Sequence, residues 1–181
     1  MDITDTLRRI HAGDRQAFAA VVNLYQGSLF GFLGRMGLDQ AHAEDLAQET
    51  FIRAWQNLGR YRQELGAFST WLFTIARNLA LNELARAAHA RELPPNEDTP
   101  EPACEEPGPE AALAAKQLRR RLQRVLRQMP LGDRSVLALA YTHELELSAI
   151  AQIEGCSTGA VKTRLHRARQ KLRGLLGTDY E

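Results

Sequence analysis

The chain has 181 residues, 44% hydrophobic and 25% charged, which suits one ordinary or two small globular domains and excludes collagen, mucin and wholesale disorder. A net charge of +1 argues at first sight against a nucleic-acid partner, but it conceals a strong asymmetry. Ten bases meet nine acids over residues 1–91, no base meets seven acids over 92–110, and thirteen bases meet six acids over 111–181. The total is therefore +1, −7 and +7 in sequence, a pattern expected of a nucleic-acid-facing half on an acidic tether. Cys104 and Cys156 are too few for a disulfide framework, and the five histidines are scattered, so a reducing cytoplasm and no metal or cofactor are expected. No basic start followed by an apolar run precedes Gly13, and no 18 apolar residues run together, so neither export nor membrane insertion is expected.

Apolar residues recur at helical spacing up to residue 91, and nothing alternates at period two for long enough to form a strand. The spacing predicts a helix over Ile3–His11 and a longer one over Asp14–Met36, with Phe18, Val22, Tyr25, Leu29 and Leu33 on one stripe. Gly27 and Gly31 interrupt that second helix at about 1 kcal/mol each relative to Ala, so close helix packing is expected to compensate there. Gln26, Ser28 and Arg35 argue against reading the pair as a membrane dimer motif.

A third helix is predicted over Ala41–Leu58, with Ala43, Ala47, Phe51, Ala54 and Leu58 inward. Asp45, Gln48, Glu49, Ile52 and Gln56 then face outward, with Trp55 at the edge. An acidic and apolar outward face suits a docked protein better than DNA, though a solvated face with one stray Ile would read the same. The segment Arg60–Trp71 interleaves Arg60 and Arg62 with Tyr61, Phe68 and Trp71, and a fourth helix over Ser69–His89 presents Arg77, Asn78, Asn82 and Arg86. Aromatics beside bases can form a single-strand stacking platform, and they can equally form core.

Six of the seven prolines lie between Pro94 and Pro109, so residues 92–110 read as a flexible acidic Pro-rich linker. Its 19 residues would reach at most about 59 Å at roughly 3.1 Å each, against about 34 Å for one duplex turn. Either it lies against the basic carboxy-terminal half and suppresses DNA binding in the free protein, or it is a solubilising spacer.

Beyond it, helices are predicted over Ala112–Gln128 and Arg134–Thr142, separated by a break at Pro130–Asp133. Two short helices around a tight turn follow. Ala151, Gly155 and Val161 fall at relative positions 5, 9 and 15 of a helix-turn-helix: a small residue at the crossing, a turn glycine and a buried apolar residue. At about 100° per residue, Val161, Leu165, Ala168 and Leu172 share the buried side of the last helix. Thr163, His166, Arg167 and Gln170 lie opposite, with Lys162 on one shoulder and Arg164 and Arg169 on the flanks. Six Lys or Arg and no acid between Ala160 and Arg173, directly after a turn glycine, favour DNA recognition over a merely solvated basic face. The expected fold is all-α: two small helical domains, the second with a helix-turn-helix.

AEDLAQETFIRAWQNL, then FSTWLFTIARNLA, a proline-rich spacer and SAIAQIEGCSTGAVKTRLHRARQKL together resemble bacterial RNA polymerase sigma factors of the extracytoplasmic-function type. The resemblance implies that residues 1–91 bind core polymerase and melt the −10 element, and that residues 111–181 read the −35 element. It implies that Asp45, Gln48, Glu49, Ile52 and Trp55 dock on the clamp helices of the largest polymerase subunit. Arg60 to Trp71 would open the −10 element and capture a flipped base, and Arg77, Asn78 and Asn82 would contact that strand. Lys162, Thr163, His166 and Arg167 would read the −35 element, the set that helix geometry already selects. An anti-sigma factor clamped on the two domains, often membrane-anchored, is implied as partner. The chain departs from the family pattern at Asn82, where an acid is usual, and in an arginine cluster reduced to Arg86 and Arg91. Cys156 in the turn reads as packing. The alternative is an autonomous helix-turn-helix regulator that binds duplex operators as a dimer without polymerase.

Overall fold

The computed structural model describes residues 3–92, 110–142 and 145–177; residues 93–109, and with them nearly all of the proline-rich linker, lie outside the described residues. Within those limits every regular element is helical. The first unit holds α1 (Ile3–His11), α2 (Phe18–Arg35), α3 (Gln40–Gln56) and α4 (Phe68–Glu92). The second holds α5 (Glu110–Arg127), α6 (Leu131–Ala140), α7 (Leu147–Glu154) and α8 (Thr158–Gly177). A single 3-10 turn at Arg15–Ala17 lies between α1 and α2, and two more, Leu58–Arg60 and Gln63–Leu65, lie between α3 and α4.

The first unit is built around α2, whose Val21, Tyr25, Leu29, Phe32 and Leu33 are buried. The stripe is rotated slightly from the predicted one, since Phe18 and Val22 are only half-buried and Val21 and Phe32 take the core. With its preceding turn, Arg15–Arg35 is long and apolar enough to cross a membrane, yet these core side chains are spent on α1, α3, α4 and the second unit. Phe32 meets Phe73 of α4 edge to face at 5.6 Å, and burying each ring contributes about 1.5–3 kcal/mol. Close packing does not account for the two glycines: Gly27 is exposed with open space around it, and a Cβ at Gly31 would meet only the Arg35 guanidinium at 3.2 Å. Asp39 caps α3, accepting from the His42 amide at 2.9 Å, and this is why that helix starts where it does.

In the second unit the predicted break at Pro130–Asp133 is instead the start of a helix. Pro130 sits at the N-cap position (φ −55°), where a missing amide hydrogen costs nothing, and its carbonyl accepts from the Arg134 amide at 3.0 Å. Asp133 through Leu139 are all buried, so α6 is the central helix of this unit, against α7 and α8.

The two units also pack on each other, α4 against α7 and α2 against α5 and α6, and one continuous apolar cluster runs from Leu7 to Ala168. The carboxy-terminal end of α2 is the polar part of that seam. Its orphan carbonyls are capped from the second unit: Met36 by Arg134 Nη1 at 2.8 Å, Gly37 by Arg127 Nε at 3.0 Å and Leu38 by Gln123 Nε2 at 3.1 Å. Cations at a helix carboxy terminus also complement its dipole. Gly37 is required here twice over, because its φ is +90° and a Cβ would lie 2.8 Å from Arg134 Nη1.

Candidate nucleic-acid interface

The turn between α7 and α8 follows from local chemistry. Gly155 takes the left-handed conformation (φ 64°, ψ 36°) that ends α7, and the Cys156 amide returns to the Ala151 carbonyl at 3.0 Å. Ser157 then caps α8, its hydroxyl accepting from the Ala160 amide at 3.2 Å. Ala151 and Val161 are buried and Cys156 is half-buried against the core, the arrangement that the helix-turn-helix spacing predicts. Val161, Leu165 and Ala168 anchor α8, leaving Lys162, Thr163, His166, Arg167, Arg169 and Gln170 exposed. Two members of this set carry internal bonds that the sequence does not signal. Thr163 Oγ1 donates back to the Gly159 carbonyl at 3.1 Å, and Arg167 Nη2 donates to Asp133 Oδ1 at 2.8 Å. The hydrogen bond and charge of Asp133 raise the Arg167 pKa still further, so this cation is held on the exposed face by a nearly buried carboxylate.

Arg164 differs from its neighbours. It is half-buried and lies 3.7 Å from Glu154 of α7.

On α3, Asp45, Gln48, Ile52 and Trp55 are exposed, Ile52 at 49% and Trp55 at 38% of their surfaces. Glu49 is tied to Arg53 one turn on, at 2.6 Å. Trp55 is held edge-on against Phe18 at 5.0 Å, so its indole is both presented and fixed in place. Ala43, Phe51, Ala54 and Leu58 are buried and Ala47 is half-buried, giving α3 one packed face and one free one.

The aromatic segment divides. Tyr61 and Trp71 are half-buried with ring centres 5.5 Å apart, but Phe68 is 2% exposed and packs on Tyr25 at 5.8 Å. Phe68 is therefore core, not a surface for a base, because it opens α4 on the side facing α2. It still sets the platform, standing edge-on to Tyr61 at 5.3 Å. The Tyr61 hydroxyl donates to the Gly66 carbonyl at 3.2 Å, and burial, helped by Glu64, raises its pKa, so the phenol stays a neutral donor. Arg60 and Arg62 flank it exposed. Along α4, Asn78, Asn82 and Arg86 are exposed, Arg86 pairing with Glu83 of its own helix.

Arg77 is the exception. Its side chain is 18% exposed, and it forms a two-point ion pair with Glu154 of α7 (Nε to Oε1 2.7 Å, Nη2 to Oε2 3.0 Å), with Ser135 completing the group.

Comparison with known proteins fits this geometry. Residues 21–90 match the Sigma-70 region 2 family, covering most of α2 to α4, and residues 119–172 match Sigma-70, region 4, covering the second unit. The extracytoplasmic-function sigma factor SigW of Bacillus subtilis is 32% identical over 96% of each chain. The sigma-H factor of Pseudomonas aeruginosa is 33% identical over 92% of this chain and 89% of that one. The chain belongs to the extracytoplasmic-function RNA polymerase sigma factors. As a member it is a transcription initiation factor that directs RNA polymerase to promoters. The solved RpoE of Bartonella quintana, in complex with the anti-sigma factor NepR, superposes with a TM-score of 0.68 at 25% identity over 90% of this chain and 98% of that one. CnrH, solved with the cytosolic domain of CnrY, shares the fold with a TM-score of 0.72 at 24% identity, covering 96% of each chain.

In this sigma factor, sequence reasoning missed the residues by which the second unit grips the first: Gln123, Arg127 and Arg134 at the end of α2, and Gln152 and Glu154 at the 60–71 segment and α4. Burial, with Arg127 nearby, lowers the Arg134 pKa, and the carbonyls of Met36, Arg127 and Met129 hold its guanidinium in place. One signal was present in the sequence: Glu154 is an acid immediately before the turn glycine in an otherwise basic half.

Proposed function

We propose that this sigma factor works through three surfaces. The free face of α3, with Asp45, Gln48, Glu49, Ile52 and Trp55, docks on the clamp helices of the largest polymerase subunit. The segment Arg60–Trp71 and the outer face of α4 open the −10 element and hold its strand, with Tyr61 and Trp71 stacking and Arg77, Asn78, Asn82 and Arg86 reaching the backbone. Lys162, Thr163, His166, Arg167 and Arg169 of α8 read the −35 element, with Arg164 set back from them. Residues 1–91 then form the polymerase-binding and melting domain, and residues 111–181 the −35-reading domain. The protein acts in the cytoplasm, by binding rather than by catalysing a reaction, and needs no cofactor.

The observation that carries this reading is the exposed donor-rich face of α8, which is mounted on Val161, Leu165 and Ala168 directly after a left-handed glycine turn. The regulator is proposed to be an anti-sigma factor, membrane-anchored, that holds both units; the complex of RpoE with the anti-sigma factor NepR supports a partner of that class. The test is run-off transcription with core polymerase on fragmented genomic DNA, followed by mapping of the 5′ ends. Defined starts with a shared −35 and −10 pattern are expected. Core polymerase that gives no promoter-specific start with the folded protein would overturn the proposal.

A further inference from the structure

The seam between the units is not neutral ground. Two side chains near the end of α7, Gln152 and Glu154, reach across it onto the −10-facing surface of the first unit. Gln152 Nε2 donates to the Leu65 carbonyl at 2.7 Å, inside the Arg60–Trp71 segment, and its carboxamide lies so close to Gly66 that a Cβ there would be 3.0 Å away. Glu154 grips Arg77. Its carboxylate is completely enclosed and gathers both Arg77 nitrogens, the Ser135 hydroxyl and, at 3.7 Å, Arg164. Two guanidinium groups and a hydroxyl around one anion are the donor set that a strand phosphate would receive at the same place. In the closed chain that place is filled by the protein's own carboxylate. The α8 face is untouched by these contacts, since Lys162, Thr163, His166, Arg167 and Arg169 remain exposed.

We propose that α7 is an intramolecular latch, in which Glu154 stands in for a DNA phosphate on Arg77 and Gln152 holds the 60–71 segment. Free protein thus withholds its strand-capturing surface while leaving its duplex-reading helix available. Opening has a physical driver: a carboxylate enclosed against two cations needs both, and once the units part it can be hydrated instead. Polymerase that draws the units apart therefore frees Arg77 for the strand at the moment when a strand is to be captured. The proposal rests on the assignment of α4 and the 60–71 segment to the −10 strand.

The test uses the full chain without polymerase, with a fluorescein-labelled oligothymidine 20-mer as the single-strand probe and small-angle scattering for shape. Glu154→Gln combined with Gln152→Ala is expected to enlarge the radius of gyration and to tighten probe binding about tenfold, one contact's worth. Adding Arg77→Ala to that variant removes the gain. The exchange of charges in Arg77→Glu with Glu154→Arg restores the compact shape.

A second arm does not depend on a buried substitution. Leu65→Cys and Gln152→Cys, both at exposed positions, are joined by a short bismaleimide in a chain with Cys104→Ser and Cys156→Ser; the closed chain is expected to lose probe binding, and cleaving a reducible version of the linker is expected to restore it. Equal probe affinity for wild type, latch variant and cross-linked chain would overturn the latch. Core-polymerase binding and promoter-specific transcription, measured in parallel, separate this failure from failure of the functional assignment. Those two activities persisting with an inert latch sinks only the latch, and an opening latch on a chain that never binds core sinks the assignment.

Discussion

The two surfaces proposed to face DNA in this sigma factor make opposite use of arginine. On α8 Lys162, Arg167 and Arg169 stand exposed, and where one of them is bonded, as Arg167 is to Asp133, the partner belongs to the same unit and steadies it in place. On α4 the equivalent cation, Arg77, is bonded across the seam to an enclosed Glu154 and is withdrawn from solvent. A basic residue on the predicted face of a helix is therefore a site only in the arrangement of units that leaves it uncovered. Net charge cannot distinguish the two cases, because in both the guanidinium is paired with one carboxylate.

That contrast can be broken most strongly at the seam. Arg134→Ala removes the donor to the Met36, Arg127 and Met129 carbonyls, and at about 1 kcal/mol for each lost bond a destabilisation of about 3 kcal/mol is expected in urea unfolding. Unfolding is also expected to split into two transitions as the units lose their mutual support. Gly37→Ala attacks the same point from the other side. An alanine forced to φ +90°, with its Cβ against Arg134, is expected to cost about 2 kcal/mol by the same measurement, and Arg134→Ala should relieve part of that cost. Additive losses in the double variant would mean that the two residues are not coupled.

Smaller effects sharpen the other half of the comparison. Lys162→Ala on the free face of α8 is expected to lower promoter-specific transcription about tenfold, near 1.4 kcal/mol, with core affinity and thermal midpoint unchanged. Ile52→Glu on α3 should do the reverse, weakening the equilibrium affinity for core by about 1 kcal/mol while binding to −35 duplex alone is retained. The smallest change is expected from Arg53→Ala, which removes an exposed bond to Glu49 one helical turn away and should shift stability by only about 0.3–0.5 kcal/mol.

Much of this was legible in the amino-acid order. The 3.6-residue period placed α1 at Ile3–His11 and predicted which side of α8 is buried, because Val161, Leu165 and Ala168 recur on one side of a helix whose other sides carry polar and basic residues. Turn chemistry fixed the helix-turn-helix, since only glycine takes the conformation found at residue 155 without strain. The start of α6 was misplaced because proline reads as a break from one side and as a helix start from the other. Phe68 was ambiguous for a similar reason: stacking platforms and cores use the same rings, and only its contact with Tyr25 shows which it serves.

What the sequence by itself determined, then, is that the chain is helical, the inward stripes of α3 and α8 and the chemistry carried on their outer faces, all consequences of local periodicity and backbone preference. The tertiary structure alone decided which outer faces remain outer. Glu154 and Arg77 are 77 residues apart and Arg134 and Met36 are 98 apart, so neither pairing leaves any periodic trace. They exist because packing two helical units together strands a carboxylate on one side and carbonyls on the other, and buried polar groups must then find partners across the seam.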